Sequence, residues 1–392
     1  MSLKFRLSAL NFFQNIVFAT TVISLGTYLL NSLEFSGRQV GMIYATNALA
    51  ATFAPPLVGW LADRRFSADR LLVVLNFMAA IALTGCFLVT SFSAFYVLML
   101  VFNFSFIPTF ALLASVCFQQ LPTPADDYPV VRVWGTVAFI LVGLGLSYFG
   151  MENSPVPLLV GVGAAVIMGV AALSLRRIPP QPGFTLADLG GPEVRRVLRE
   201  PGMIVLVVAM LLSSIPSAFY YSFVNPFLNE MGWANAAAKM SLGQVGEVFI
   251  ILALPLALRY LRFRTVIFWG LFCWGARYFA FGLGRPGEVA EWLLFAGILV
   301  QGFCFAWVVI AGQIYIDKRM PQTLRSTAQG LISFANQGLG IFVGSWIAGE
   351  VVTANAGAGG GHDWWLIWLV PGVVGVLGAI YFWVFFPKRG AL

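Results

Sequence analysis

Long apolar segments separated by short polar ones recur along the whole chain. A helix that spans a bilayer needs about 20 predominantly apolar residues, and twelve segments of roughly that length can be distinguished. The pattern therefore predicts an all-α integral membrane protein with twelve transmembrane helices. The predicted spans are 8–30, 39–61, 70–90, 93–118, 129–149, 155–175, 202–228, 237–257, 264–284, 290–315, 326–350 and 364–386.

The composition agrees with this pattern. Hydrophobic residues make up 59% of the chain and charged residues only 10%, whereas about a quarter of a soluble domain is charged. The predicted helices leave no room for a separate soluble domain, and no metal-ligand spacing, phosphate-binding glycine loop or nucleophile constellation is present. We therefore expect no enzyme activity and no cofactor.

The distribution of lysine and arginine predicts the orientation. With the N-terminus inside the cell, 18 of the 23 basic residues fall in cytoplasmic segments, as the positive-inside rule requires. Both termini are then cytoplasmic, and the protein is expected in a bacterial inner membrane, multi-pass and monomeric. The net charge of +7 reflects this topology. We expect the lipid bilayer as a partner and no nucleic acid.

A polar stretch divides the chain into two halves. Residues 176–201 are rich in proline, glycine and arginine, and they follow six predicted helices and precede six more. This stretch is typical of a cytoplasmic linker. We predict an N-terminal six-helix bundle over 1–175 and a C-terminal six-helix bundle over 202–392.

The predicted eighth helix carries Gln244 and Glu247, which share one helix face because they are three residues apart. Gly243 and Gly246 beside them predict that this face is open to close approach. An acidic residue deep in a membrane costs about 2.5–3.5 kcal/mol, so it faces a cavity, a partner or a moving proton. Two interpretations remain open: a substrate face with a titratable group, or a structural ion pair with an arginine.

The predicted fifth helix presents Arg132, Thr136 and Phe139 on one face. They offer a charged donor, a hydroxyl group and a ring on which a flat ligand can stack, although Arg132 could instead extend to the cytoplasmic surface. Arg277, in the ninth helix, is expected to reach the external interface. His362 is expected to be a solvated loop residue, so no histidine relay is predicted.

The loop GWLADRRFSADR, residues 59–70, resembles the loop between the second and third helices of the major facilitator superfamily. The matching residues are Gly59, Asp63, Arg64 and Arg65. The resemblance implies that Asp63 caps a neighbouring helix end and that the arginines latch a cytoplasmic gate. The alternative is a solvated, positively charged turn.

The strings RVWGTVAF, SLGQVGEVF, GQIYID and RSTAQGLISFANQGLG, with LGTYL near the N-terminus, together resemble the nucleoside:proton symporters of that superfamily. The resemblance implies import of a nucleoside with a proton by alternating access. It also implies binding positions. Glu247 would link the substrate to the proton, and the rings of Phe139 and Phe305 would pack against the base. These implied positions are Arg132, Thr136, Phe139, Gln244, Glu247 and Phe305.

The chain departs from the family at two places. Ala306 stands where the family has an acidic residue, and the seventh helix reads PSAFYYSFVNPF where two amides are expected. Tyr221 and Asn225 are the candidate substitutes there. A sugar or polyol:proton symporter, an uncoupled nucleoside facilitator, and a receptor built on a transporter fold therefore remain alternatives.

Overall fold

A computed structural model describes residues 3–64, 67–175, 192–321, 324–357 and 361–387. It divides into two compact units: unit 1 comprises Met1–Phe35 and Met42–Thr185, and unit 2 comprises Ser36–Gly41 and Leu186–Leu392. Within the predicted linker, residues 176–191 lie outside the described part. Residues Pro192–Arg199 of that segment form a short helix.

The regular structure in the described residues of unit 1 is all helical, and a π-helical segment, Tyr28–Ser32, continues its second helix. Pro108 and Pro124 stand at the starts of two helices, where the missing N–H has no helical partner to lose. The helices are α1 (Leu3–Val22), α2 (Leu25–Thr27), α3 (Gly37–Arg64, apart from its first turn), α4 (Ala68–Leu88), α5 (Phe92–Phe106), α6 (Pro108–Gln120), α7 (Pro124–Tyr148) and α8 (Val156–Ala172).

Unit 2 contains the remaining helices, two π-helical segments (Ala306–Ile310 and Phe334–Gly340) and a small hairpin of β1 (Ala356–Gly357) and β2 (Gly361–His362). The Asp363 carboxylate caps the last helix by accepting from the Leu366 N–H. The helices are α9 (Pro192–Arg199), α10 (Met203–Glu230), α11 (Ala236–Tyr260), α12 (Phe263–Leu283), α13 (Glu291–Leu299), α14 (Gln301–Phe305), α15 (Ala311–Arg319), α16 (Arg325–Ser333), α17 (Ile341–Ala354) and α18 (Trp364–Phe385).

Ten stretches of helix in the described residues are long and apolar enough to cross a membrane. The predicted span 39–61 lies within α3, and the predicted span 155–175 contains the shorter apolar helix α8. Many large apolar side chains are exposed on these helices, among them Ile81 and Leu252 at 73% and 72% exposure. An outward-facing apolar surface of this kind suits hydrocarbon and not water. The ten stretches are Leu3–Ser32, Asp69–Leu88, Phe92–Gln120, Asp127–Tyr148, Met203–Glu230, Ala236–Tyr260, Phe263–Leu283, Glu291–Arg319, Thr327–Ala354 and Trp364–Phe385.

The core of unit 1 lies where α1 packs against α7 and α8, and where α4 packs against α8. Leu7, Val131 and Met168 from three of these helices are fully buried there. This packing fixes the rotation of α1 and α7 about their axes, and so decides which of their polar residues face away from the lipid.

In unit 2, α12 packs along α18 through a contact between glycine backbones. A Cβ atom at Gly375 would lie 2.5 Å from the backbone nitrogen of Gly275. Small residues let membrane helices approach this closely. The rings of Tyr278 and Trp368 pack beside the contact, 5.3 Å apart, so the position of α12 is held on both sides.

The first turn of α3 belongs to unit 2 because it packs against α17. The Arg38 guanidinium forms an ion pair with Glu350, with Nε and Oε1 separated by 2.7 Å, and its backbone N–H donates to the Thr353 hydroxyl at 2.6 Å. Gly41 lies against the backbone of Gly349, where a side chain would not fit.

His362 is not the solvated loop residue that the sequence predicted. Its Nδ1 lies 2.7 Å from Glu230 Oε2, and its backbone N–H donates to Glu230 Oε1 at 2.7 Å. Only 17% of its side chain is exposed, and its ring packs on Trp364. The β1–β2 hairpin folds the loop back onto the end of α10. The glycine-rich sequence around His362 does not predict this contact.

We expect Gly375→Ala to lower the unfolding temperature of the detergent-solubilised protein. The new methyl group would collide with the backbone of Gly275, and overpacking of this kind costs about 1–3 kcal/mol. Gly163→Ala is the matched control, because nothing lies within 4 Å of a Cβ atom there. An unchanged unfolding temperature for Gly375→Ala would show that this helix contact is not tight.

We also expect Glu230→Ala to lower the unfolding temperature, because the loop loses two hydrogen bonds to a carboxylate, each worth about 1.5–3 kcal/mol. Glu288→Ala, at an exposed carboxylate of the segment that precedes α13, should change stability by less than about 0.5 kcal/mol. Thermal unfolding followed by tryptophan fluorescence tests both variants. Equal effects would contradict a stabilising role for the His362–Glu230 contact.

Candidate functional site

The central polar group of unit 2 is the Glu247 carboxylate on α11. The side chain is half-buried, and Oε2 accepts a long hydrogen bond from Gln301 Nε2 at 3.5 Å. Gln301 is the first residue of α14 and is fully buried. Sequence reasoning missed it, although an amide in an apolar helix was a signal of the same kind as Gln244.

Gln301 connects Glu247 to Arg277. The amide oxygen of Gln301 accepts from Arg277 Nη1 at 2.7 Å, while its nitrogen lies 3.4 Å from the Tyr221 hydroxyl oxygen. Because a guanidinium can only donate, the oxygen end of the amide must face Arg277. The NH₂ end is therefore directed at Glu247 and Tyr221.

The expectation that Arg277 reaches the external interface was wrong. The residue is 1% exposed, and its Nε donates to the Gly297 carbonyl oxygen at 3.0 Å. Its guanidinium carbon lies 3.9 Å from the centre of the Tyr220 ring, close enough for a cation–π interaction. The helix break between α13 and α14 brings the carbonyl and amide oxygens to the cation, so the side chain has partners inside unit 2.

A direct ion pair between Glu247 and an arginine, the structural alternative considered from the sequence, is not formed within the described residues. The amide of Gln301 lies between the two charges instead. This leaves a carboxylate and a guanidinium in one network without direct contact.

Glycines bring these helices together. A Cβ atom at Gly302 would lie 2.9 Å from the Glu247 Cα, and one at Gly243 would lie 3.0 Å from the Ile298 carbonyl oxygen. Gly246 similarly meets the Leu299 carbonyl at 3.2 Å. The prediction that Gly243 and Gly246 leave the face open was therefore wrong, because α13 and α14 occupy that side of α11.

The other candidate residues of unit 2 differ in their burial. Gln244 and Phe305 are half-buried, and a π-helical segment starts directly after Phe305, a feature that is frequent at functional sites. Ala306 is fully buried, so the position of the missing carboxylate is inside the unit. Asn225 is also buried, and its amide oxygen accepts from Asn229 at 3.2 Å.

In unit 1, α7 presents Arg132, Thr136 and Phe139 along one side. Arg132 is exposed and the other two are half-buried. The ring of Phe139 lies 6.3 Å from that of Phe18 on α1. Gly135, between Arg132 and Thr136, is in contact with the Asn15 amide, which makes Asn15 a neighbour of this face that sequence reasoning missed.

Asn15 belongs to a row of amides on α1. Asn11 and Gln14 are buried, and Gln14 Nε2 donates to the Thr109 hydroxyl at 2.9 Å, which ties α1 to α6. Asn15 Nδ2 donates to the Asn11 carbonyl oxygen. Three amides within five residues of an apolar helix were a detectable signal for a polar interior.

The motif Gly59, Asp63, Arg64 and Arg65 is only partly described. The first three residues form the end of α3, their side chains are outside the described part of the chain, and so is the whole of Arg65. The predicted cap and gate contacts stay predictions.

The profile of the family described as "Nucleoside H+ symporter" matches residues 1–390. The chain belongs to the nucleoside H+ symporter family. A curated relative, "Putative nucleoside transporter YegT" of Escherichia coli, is 32% identical over 398 residues, which is 98% of this chain and 93% of the relative. "Xanthosine permease" of the same organism is 30% identical over 98% of this chain and 96% of its own length.

Solved structures show the same fold. The crystal structure of nucleoside transporter NupG superposes with a TM-score of 0.92 at 26% identity, covering 99% of this chain and 100% of that one. A D-xylose-proton symporter, at 17% identity, superposes with a TM-score of 0.72 and shows likeness of fold alone. The predicted major facilitator superfamily fold is confirmed: this family member is a multi-pass membrane transporter and not an enzyme.

Proposed function

We propose that this member of the family imports nucleosides together with protons by alternating access, and that Glu247 carries the proton. The observation that carries the proposal is the placement of Glu247 within unit 2: a half-buried carboxylate on a membrane helix, hydrogen-bonded to a buried amide and free of any direct ion pair among the described residues. An intramembrane carboxylate of this kind is typical of a proton relay.

Recognition of the nucleoside is proposed to use one polar face in each unit. In unit 1 these residues are Arg132, Thr136 and Phe139, and in unit 2 they are Tyr221, Asn225, Gln244, Glu247 and Phe305. Hydroxyl groups of a ribose require donors and acceptors, and a flat base requires ring faces, so an apolar surface with a few polar groups of these types suits the ligand.

Coupling to one proton supplies enough free energy for accumulation. A charge that crosses about 100 mV contributes about 2.3 kcal/mol, and each pH unit of gradient contributes about 1.4 kcal/mol. Together they support accumulation of several hundred-fold. In this scheme protonation from outside neutralises Glu247, the substrate binds, the carrier reopens inward, and both are released.

The membrane arrangement is proposed on the distribution of charge. Basic residues concentrate in the segments that share a side with the N-terminus, so we place both termini in the cytoplasm of a bacterial cell. Lys4 at that end forms an ion pair with Asp127 at the start of α7, with Nζ and Oδ1 separated by 2.5 Å. We propose that the transporter works as a monomer in the lipid bilayer.

We expect Glu247→Gln to abolish accumulation of radiolabelled uridine driven by an inward acid gradient in proteoliposomes, while uridine exchange across the membrane is retained. The amide still offers a hydrogen bond to the substrate but cannot bind and release the proton. Glu288→Gln, at an exposed carboxylate, is the matched control and should accumulate uridine like the unmodified protein.

Three results would contradict the proposal in different ways. Uptake that is the same with and without the gradient would indicate an uncoupled facilitator. Uptake of a sugar, either in competition with uridine or when uridine is not taken up, would indicate a sugar or polyol symporter. Binding of uridine without flux would indicate a receptor.

We expect Arg132→Lys to lower the kcat/KM of uridine uptake about tenfold, because lysine keeps the charge but loses the planar pair of donors, a loss of about 1.4 kcal/mol. Arg70→Lys, at an exposed arginine at the start of α4, controls for the same change of chemistry. Unaltered uptake kinetics for Arg132→Lys would remove Arg132 from the substrate face.

A further inference from the structure

We infer that Arg277 and Gln301 are positioning residues for proton release: the buried cation of Arg277 acts through the amide of Gln301 to make Glu247 give up its proton. The inference rests on the proposed role of Glu247 as proton carrier. It adds the group that resets this carrier, and it assigns a purpose to an arginine that touches neither lipid nor solvent.

The first step concerns the energy of a buried cation. Arginine stays protonated in proteins, and a charge removed from water is costly unless it is compensated. Arg277 is fully buried, and its contacts include the Gly297 carbonyl, the Gln301 amide oxygen and the rings of Tyr220, Trp274 and Phe281. These are dipoles and ring quadrupoles, none of which carries a negative charge.

The second step identifies the compensating charge. Within the described residues no carboxylate lies within ion-pair distance of Arg277, and the Gln301 amide joins it to the Glu247 carboxylate. The cation is therefore best compensated when Glu247 is ionised. Protonation of Glu247 removes this compensation, so the buried guanidinium favours the return of Glu247 to the carboxylate.

The third step concerns the amide. Arg277 fixes the amide oxygen of Gln301, so only the NH₂ group can be presented to Glu247. An N–H donor stabilises a carboxylate more than a carboxylic acid, because the bond to the charged form is stronger. Gln301 thus adds to the effect of the cation and also holds the two groups apart, so that no permanent ion pair traps the carboxylate.

Other titratable groups near Glu247 do not compete for this role. The groups that face the network are Tyr220 and Tyr221 from α10, Cys273 and Tyr278 from α12, and Cys304 from α14. Phenols and thiols are neutral at physiological pH. On α13 the acidic residue is Glu291, at the outer end, where it accepts from the Trp233 indole. The π-helical segment Ala306–Ile310 carries no charged residue.

Arg277→Met should therefore leave the proton on Glu247. Exchange of uridine, which needs no net release of the proton, should continue and should persist to a pH about one unit higher than in the unmodified protein, the shift expected for the loss of about 1.4 kcal/mol of interaction. Gradient-driven accumulation should fall at least tenfold. Arg277→Lys, which keeps the charge, should restore part of the accumulation.

Gln301→Glu supplies a second and independent variant. Its carboxylate would take the place of the amide oxygen 2.7 Å from Arg277 and would pair with the cation directly. The new carboxylate would then compensate the cation and would also repel a negative charge on Glu247. Accumulation should fall, and the pH profile of exchange should shift upward at least as far as in Arg277→Met. Arg264→Met, on the same helix and against Trp383, is the matched control and should shift neither.

The experiment measures three quantities in proteoliposomes: gradient-driven accumulation, the pH profile of exchange, and the infrared band of the protonated Glu247 carboxyl group, assigned as the band missing from Glu247→Gln. The expected result is an upward shift of the infrared titration midpoint in Arg277→Met and Gln301→Glu. Unshifted midpoints and normal accumulation in these variants would overturn the inference.

The infrared titration separates this inference from the proposed function. If the unmodified protein moves no uridine, the proposed substrate is wrong, yet a shifted band would still support the link between Arg277 and Glu247. If uridine is accumulated normally but the band does not shift, only the inference fails. If Arg277→Met yields no monodisperse protein, Arg277→Gln, which also removes the charge, decides the question by the same measurements.

Discussion

The buried guanidinium of Arg277 is the constraint around which the polar interior of unit 2 is arranged. A permanent charge buried in a membrane protein must be stabilised by polar groups nearby. Close to the break between α13 and α14, the Gly297 carbonyl oxygen accepts a hydrogen bond from Arg277. The same break places Gln301 where its amide can reach both Arg277 and Glu247. The amide that stabilises the buried cation is thus also the hydrogen-bond partner of the Glu247 carboxylate.

Close helix packing makes this arrangement possible. Gly302 brings α14 against the backbone of α11 at Glu247, and the contact of Gly275 with Gly375 holds the helix that carries Arg277. In a lipid environment helices gain little from burying apolar surface, so close van der Waals contact at small residues provides much of the stabilisation of helix association. The glycines are therefore spacers that set distances between polar groups, a different role from the open ligand face that their position suggested.

On α1 of unit 1, the polar side chains in the interior include neutral amides. The amides of α1 bond within the unit, Gln14 to Thr109 and Asn15 to the backbone of Asn11, so the buried polar groups along this helix are neutral. The one exposed arginine on the candidate face of unit 1, Arg132, has no ion-pair partner among the described residues. A guanidinium in this state is available to a ligand, whereas Arg277 is already committed to protein partners.

The sequence by itself determined the class of protein, the helical spans and the family, because apolar length and motif strings are local properties that survive without tertiary contacts. It also singled out Glu247, since an acidic residue in an apolar helix can be recognised from the sequence alone. Only the tertiary structure decided where Arg277 points, that Gln301 joins it to Glu247, and that His362 is bound to Glu230. These contacts depend on helix rotation and on breaks in helices, which are set by packing between segments far apart in the chain.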